Sequence, residues 1–461
     1  MKRLFVVLGF LLPVFVCAQQ SKFSAQDYRW LNVGSAGFTA HGADFTSLAF
    51  SPAGTPYLAF KDWANSNSLT VMKFEGNSWS YVGTPGFSTG ASDFLTLVFN
   101  PSDGQPYIAY IDVANSSKAT VMKFLEGNWV NVGNAGFSSA QVHFPSLAFS
   151  PSGEPYVAFE DWGNAQKASV MKFDGANWIY VGNAGLSAGW ATYTSLAFNP
   201  VDGLPYIAYT DYANSYRATV ALFNGTQWVN VGSAGFSDGQ AVGTCIAFNQ
   251  AGEPYVAYSD GNISFKSVVM KFDGINWMNV GTAGFSAGRI YTPDLVINPA
   301  DNHPYIAFSD WGVEQKASVM YFDGNSWLNV GTAGISGARA DFTSLAFNPA
   351  NGQPYIAFRD YFSLSKATVM KYDSASVGIR ETPDPGISVY PNPAVDYITI
   401  EIPDGLKASN LSITKPDGLE MINRLISEST TSIDISRLCS GIYILRICDK
   451  NTVVTKKFIK R

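Results

Sequence analysis

The sequence predicts an all-β fold, a seven-bladed β-propeller closed by its own N-terminal strand, on three observations. Tryptophan recurs at Trp30, Trp79, Trp129, Trp178, Trp228, Trp277 and Trp327, a near-constant period of about 50 residues that marks a repeat architecture. Each repeat carries four strand-like runs separated by turn residues, which is the content of one propeller blade. The two ends of the array are complementary: Trp30 to Gly34 is a fourth strand without its first three, and the last repeat stops at Tyr372 after three strands without a fourth. Pairing these ends closes the ring and removes two exposed sheet edges. An open solenoid would need atypical capping repeats, and none is present.

The second repeat shows the elements plainly: Leu95 to Phe99, Pro106 to Asp112, Ala119 to Phe124 and Trp129 to Gly133. The turn before Pro-Tyr is long in repeats two, four and six (Asn100 to Gln105) and one residue shorter in one, three and five (Ser51 to Thr55); the seventh keeps the long form. This alternation suggests growth by duplication of a two-blade unit. In the first strand Leu48 and Phe50 share one face and Ser47 and Ala49 the other, so a large-residue face can pack on the small-residue face of the next blade. Cys245 and Asp294 replace that serine in repeats five and six; Asp294 is expected to be solvated in the central channel rather than catalytic.

Composition limits the partners. Of 461 residues 46% are hydrophobic and only 14% charged, and 30 basic against 36 acidic residues give a net charge of −6. With no basic runs in the repeats, nucleic acid is not an expected partner. Lys2 and Arg3 precede the apolar run Leu4 to Val16, with a cleavage site after Ala18, the pattern of a secretory signal peptide over residues 1–18. Val16 is too large for Cys17 to be the favoured lipidated cysteine. No later stretch is long and apolar enough to span a bilayer, so no transmembrane segment is expected in the mature chain. Cys245, Cys439 and Cys448 are too few for a disulfide framework and are expected to be buried thiols. His41, His143 and His303 occupy non-equivalent repeat positions, so no metal site, and no other cofactor, is expected.

The propeller occupies residues 19–376 in this reading and a short linker residues 377–386. Residues 387–461 are a different domain. Val389-Tyr390-Pro391-Asn392-Pro393, Tyr397-Ile398-Thr399-Ile400, Asp417-Gly418, Ile433-Asp434-Ile435, Leu438, Gly441-Ile442-Tyr443 and Lys456-Lys457 resemble the C-terminal sorting domain of the type IX secretion system. Lys415-Pro416 departs from the Tyr-Asp that more often precedes the turn in that family. The resemblance implies a small C-terminal β-sandwich, a Bacteroidota source, interaction with the type IX machinery, and a secreted or outer-membrane-surface protein reached through the periplasm.

An aspartate ends every second strand: Asp62, Asp112, Asp161, Asp211, Asp260, Asp310 and Asp360. Six residues later stands Lys118, Lys167, Arg217, Lys266, Lys316 or Lys366, with Ser68 the exception, and the expected role of the pair is an ion bridge across the hairpin. After the aspartate come Trp63, Trp162, Tyr212, Trp311 and Tyr361, against Val113 and Gly261, and then Asn65, Asn115, Asn164 and Asn214. Aromatic faces with neighbouring polar groups suit a sugar, apolar on its ring faces and hydroxylated at its rim. The candidate ligand-binding set is Asp62, Trp63, Asn65, Asp161, Trp162, Asn164, Asp211, Tyr212, Asn214, Asp310, Trp311, Asp360 and Tyr361, read as several equivalent weak sites. The opposing reading places the tryptophans in the gaps between blades. No catalytic motif is present: there is no Gly-x-Ser-x-Gly, no Cys neighbouring His, and the arginines and tyrosine nucleophile of sialidase-type propellers cannot be placed. A glycan-binding module is favoured, a protein-binding or structural surface scaffold is second, and a glycoside hydrolase is least favoured.

Overall fold

Alternating large and small residues, with Asp-Gly and Asn-rich turns between them, make short antiparallel strands buried on both faces. The computed structural model describes residues 28–374, 387–401, 409–415, 420–426, 428–448 and 453–461. They form two compact units, the first ending at Ser374. The signal peptide, the linker and Cys17 lie outside these residues, as does the side chain of Cys448.

The first unit is seven four-stranded antiparallel sheets. Blade 1 comprises Ala43–Phe50, Pro56–Asp62, Ser68–Glu75 and Ser78–Tyr81 from the inner strand outward. Blades 2 to 6 span residues 92–131, 142–180, 191–230, 241–279 and 290–329. Blade 7 takes Ala340–Phe347, Pro354–Asp360 and Lys366–Ser374 from the C-terminal end of the array, and Tyr28–Asn32 completes it. Trp30 pairs with Tyr372 and Asn32 with Met370, so the ring is closed by the N-terminal strand.

Blades interlock large face to small face. Leu58 and Phe60 of blade 1 pack with Ala357 and Ala367 of blade 7, while Ala59 meets Ile108 and Tyr110 of blade 2. The repeated tryptophan fixes the spacing. Its indole N–H donates to a valine carbonyl of the preceding blade, as in Trp79 to Val33, Trp129 to Val82 and Trp178 to Val132, and Trp30 makes the same bond to Val330, all at 2.7–2.8 Å. The phenylalanine of the Gly-Phe-Ser loop stacks on that indole, Phe137 on Trp178 at 4.2 Å for example. The following serine accepts a backbone N–H from the neighbouring blade, as Ser138 does from Ala119 at 3.1 Å.

One feature of every blade is absent from the sequence reading. The inner strand shifts register by a β-bulge, between Asp44 and Ser47 in blade 1 and at the equivalent place in the other six. Such a bulge re-aims a side chain at the rim of a sheet. Beyond it, Ser47 Oγ accepts the Leu97 N–H at 3.0 Å and Ser344 that of Leu48 at 3.1 Å. Asp294 makes the same bond to Leu345 at 2.7 Å while lining the channel, so it holds two blades together and is not merely solvated. Cys245 is half-buried and Cys439 exposed, which corrects the expectation of uniformly buried thiols.

The second unit is a β-sandwich. One sheet holds Ser388–Tyr390, Tyr397–Glu401 and Thr430–Asp434; the other holds Glu420–Ile426, Ser409–Thr414, Gly441–Cys448 and Val453–Lys460. Ile398, Ile400 and Ile433 from the first meet Leu411, Leu445 and Phe458 from the second in one core.

Deleting residues 19–34 removes the outer strand of blade 7 together with the Trp30–Val330 and Trp79–Val33 bonds. The expected outcome is a large fall in the urea midpoint of the propeller. An unchanged midpoint would show that closure contributes nothing to stability.

Candidate functional site

The repeated aspartate builds a turn. Asp62 leaves its strand extended and caps the short 3-10 turn Trp63–Asn65, the use for which a short acceptor side chain is suited. Its carboxylate accepts the Ala64 N–H at 2.9 Å, Asn65 Nδ2 at 2.8 Å and Thr70 Oγ1 at 2.8 Å. Asp161 does this with Gly163, Asn164 and Ser169, and Asp211 with Ala213, Asn214 and Thr219. Asp360 takes Phe362 N–H, Ser363 and Thr368, whereas Asp310 takes Gly312 N–H and the N–H groups of Ala287 and Gly288 in the incoming loop.

These bonds correct the ion-pair expectation. The seven aspartates are 0–4% exposed, and among the described residues none forms an ion pair with the cation six residues on; Lys316, for one, pairs with Glu314 at 2.9 Å. The aspartates Asp62, Asp161, Asp211, Asp310 and Asp360 lie beneath the surface and, with the half-buried Asn65, Asn164 and Asn214, hold the turns that display the next residue. They are positioning residues.

The aromatics that follow the aspartates are only partly covered. Trp63, Trp162 and Trp311 are 47%, 42% and 45% exposed, and Tyr212 and Tyr361 are half-buried. Because Asp62 pairs with Ala43 at the start of the inner strand, the turns and the bulges share one end of the propeller. Around each aromatic the chemistry differs, so the sites are not equivalent.

At blades 7 and 1, the Trp63 indole donates to Asp44 Oδ2 at 2.9 Å. Arg359 joins Asp44 to Asp341 and also contacts the Tyr361 hydroxyl; its bond to Asp341 is 2.5 Å. Arg339 adds a two-pronged contact to Asp341 at 2.9 and 3.1 Å. Burial alone would raise the Asp341 carboxyl, but hydrogen bonds from Arg339, Arg359 and Tyr361 bring it below its ordinary value. In blade 6, Arg289 lies over Tyr291, Phe265 and Trp311, with its guanidinium carbon 4.6 Å from the Tyr291 ring centre.

Blades 3 and 4 hold the third cluster. Glu160 is 1% exposed yet sits among the exposed rings Trp162 and Trp190. Trp190 Nε1 donates to its Oε1 at 2.9 Å, Oε2 has no close hydrogen-bond partner among the described residues, and His143 Nδ1 lies 3.8 Å away. Tyr212 stacks on Trp190 at 4.1 Å. Burial raises the Glu160 carboxyl to about 7, against the opposing indole N–H groups of Trp190 and Trp162, and lowers the His143 imidazole.

Sequence reasoning missed Glu160, His143, Trp190, Arg289, Tyr291, Arg359, Asp44 and Asp341. The available signal was the residue before the invariant aspartate, which changes from Lys61 through Glu160 to Arg359.

A carboxyl raised on folding stabilises the fold when protonated; that contribution is present below the ordinary value of 4.5 and lost as pH rises through about 7. Wild type should therefore lose stability relative to Glu160→Gln between pH 5 and pH 8, by roughly 2 kcal/mol. Parallel melting curves for the two proteins across that range would contradict the burial argument.

Residues 388–461 match the family model described as the secretion system C-terminal sorting domain. No curated protein sequence matches the chain. Among solved structures, PorZ, a surface component of the type IX secretion system of Porphyromonas gingivalis, is 14% identical with a TM-score of 0.46; the match covers 90% of this chain and 59% of that one. The BP39L lectin of Burkholderia pseudomallei is 13% identical with a TM-score of 0.52, covering 73% of this chain and 97% of the lectin. The Aleuria aurantia lectin is 12% identical with a TM-score of 0.43, covering 65% and 97%. BP39L supports the fold and nothing finer. Among the described residues no helix is long and apolar enough to cross a membrane. The second unit is a type IX secretion sorting domain, which implies export of the chain to the cell surface or its release.

Proposed function

We propose that the propeller is a carbohydrate-binding module delivered outside the cell by its sorting domain. The observation that carries this reading is the display of three indoles, each more than 40% exposed, on rigid turns at one end of the ring. Trp63 is anchored by its N–H to Asp44, leaving ring surface open to solvent. A sugar stacks its C–H face on such a ring, and neighbouring polar groups take its hydroxyls. Anchored in this way, the Trp63 ring has little rotamer entropy left to lose.

The three clusters offer different polar partners, so this reading takes them as distinct subsites of one polyvalent face rather than copies of one site. Individually millimolar contacts on a polymer then combine through effective concentration. The blade 3–4 cluster has the richest chemistry, with Glu160 and His143 beside Trp162 and Trp190.

Trp162→Ala and Trp311→Ala remove half-exposed rings and should change the melting temperature little. Retention on a glycan column should fall for each and further for the pair. If the folded wild type is retained by no sugar across a broad array, the reading fails and a protein-binding face replaces it.

Export rests on the second unit. A chain ending at Tyr372 should fold its propeller and accumulate in the periplasm, because its residues form a separate core. Normal surface delivery of that truncation would contradict the sorting role.

A further inference from the structure

The inner strands of all seven blades enclose a cavity of about 450 Å³, within the range of small-molecule sites. At its turn-bearing end the bulge residues form an aromatic arc. Phe342, Phe45, Phe94, Phe144 and Tyr193 touch in sequence around blades 7, 1, 2, 3 and 4, with ring centres 4.5–5.0 Å apart. Every one has a positive φ, from 42° to 54°. Bulky residues are uncommon in that region, where glycine or asparagine sits at less cost. All seven bulge residues have positive φ, Gly243 and Thr292 included, so the bulge sets the backbone, and five of the seven positions carry a ring where glycine would sit at less cost.

The arc is open at blades 5 and 6. Gly243 and Thr292 hold the equivalent positions, and a Cβ on Gly243 would come within 2.9 Å of Pro293 and Thr292. Two residues past Thr292 stands Asp294, among the described residues the only charged side chain lining the cavity. The matching residue is a serine in blades 1, 3, 4 and 7, so the interblade bond to Leu345 does not require a carboxylate. Burial raises the Asp294 carboxyl to about 6, leaving it ionised at neutral pH. Among the described residues no cation in the lining compensates it.

Two arc rings already receive cations from the protein itself. Lys61 Nζ lies 5.8 Å from the centre of Phe45, and the Arg359 guanidinium 4.9 Å from that of Phe342. At the mouth these cations are matched by Asp93, Asp44 and Asp341. Asp294, which accepts the Leu345 N–H, has no cationic partner among the described residues that line the cavity, and the walls of a cleft concentrate the field of such a charge.

We propose that the channel is a binding site for a small organic cation, an ammonium group carried on an apolar body, with the aromatic arc taking the body and Asp294 the charge. It is independent of the glycan face. Ring faces attract cations, more strongly when desolvated, and the carboxylate supplies the counter-charge.

The test is a calorimetric titration of the mature chain near neutral pH with phenethylammonium and its neutral analogue 2-phenylethanol. The amine should bind saturably and the alcohol about tenfold more weakly. Asp294→Ser restores the residue that other blades use, keeps an acceptor for the Leu345 N–H, and should weaken the amine about tenfold without weakening the alcohol or lowering the melting temperature. Phe94→Asn relieves the positive-φ strain and should weaken both ligands. Absence of saturable amine binding, equal affinity for amine and alcohol, or an unaffected Asp294→Ser protein would each overturn the proposal.

Discussion

The structure depends on the bond from each outer-strand indole to a valine carbonyl of the preceding blade. It is short, it recurs at Trp30, Trp79, Trp129, Trp178, Trp228, Trp277 and Trp327, and most of its donors are buried. A buried carbonyl or indole N–H left unpaired costs its full desolvation, so blades can approach only at the separation that makes the bond. A ring adds a further condition. Each angular error would accumulate around seven blades, and the Trp30–Val330 bond forms only if the other six have the correct spacing. The N-terminal strand therefore completes a geometry that the array has already set, and the tryptophan period is the sequence trace of that constraint.

The alternation of turn length shows what repetition alone does and does not reveal. Its presence was legible as a one-residue difference. Its physical role appears only in three dimensions: Asn100 in the long turn of blade 2 donates to Gly153 O in the short turn of blade 3, Asn199 of blade 4 to Gly252 O of blade 5, and Asn348 of blade 7 to Gly54 O of blade 1. Long turns reach over short ones. A Cβ on Gly153 would lie 2.2 Å from Ser102 Oγ, so the glycine of the short turn makes room for its neighbour. The strand count, the closure and the face-to-face packing were readable because they follow from period and alternation. The inner-strand bulge was not, since residues on either side of it still alternate and the extra residue is an ordinary aromatic.

The same distinction explains the site. Asp62 and its six counterparts are the most persistent polar residues of the repeat, expected as ion-pair partners across the hairpin, and they cap turns instead. In a chain of internal repeats, recurrence reports what every blade needs in order to fold. Chemistry specific to one place must appear as departure from the repeat: Glu160 where other blades have lysine, isoleucine, threonine, serine or arginine, Arg289 among three rings, Trp190 beside Tyr212, Asp294 in place of serine. The displayed aromatics are intermediate. Their position is set by the turn, whereas their identity varies from Trp63 to Val113 and Gly261, and only that variation carries information about ligands.

One local device ties the channel to the outer face. The bulge at Phe45 inserts a residue between Asp44, which pairs with Lys61, and Ser47, which pairs with Ala59. After the insertion the strand presents Ser47 to the next blade. Before it, Asp44 is left at the rim, where its carboxylate reaches the Trp63 indole and Arg359 of the neighbouring blade. The inserted residue itself is aimed at the channel mouth. The bulge residue lines the cavity in each of the seven blades, and the residue before it stands at the face where it is Asp44, His143, Tyr291 or Asp341. Substitutions at these adjacent positions can alter channel and face chemistry separately while the strands outside them keep their register, which is how a repeated scaffold comes to carry unlike sites.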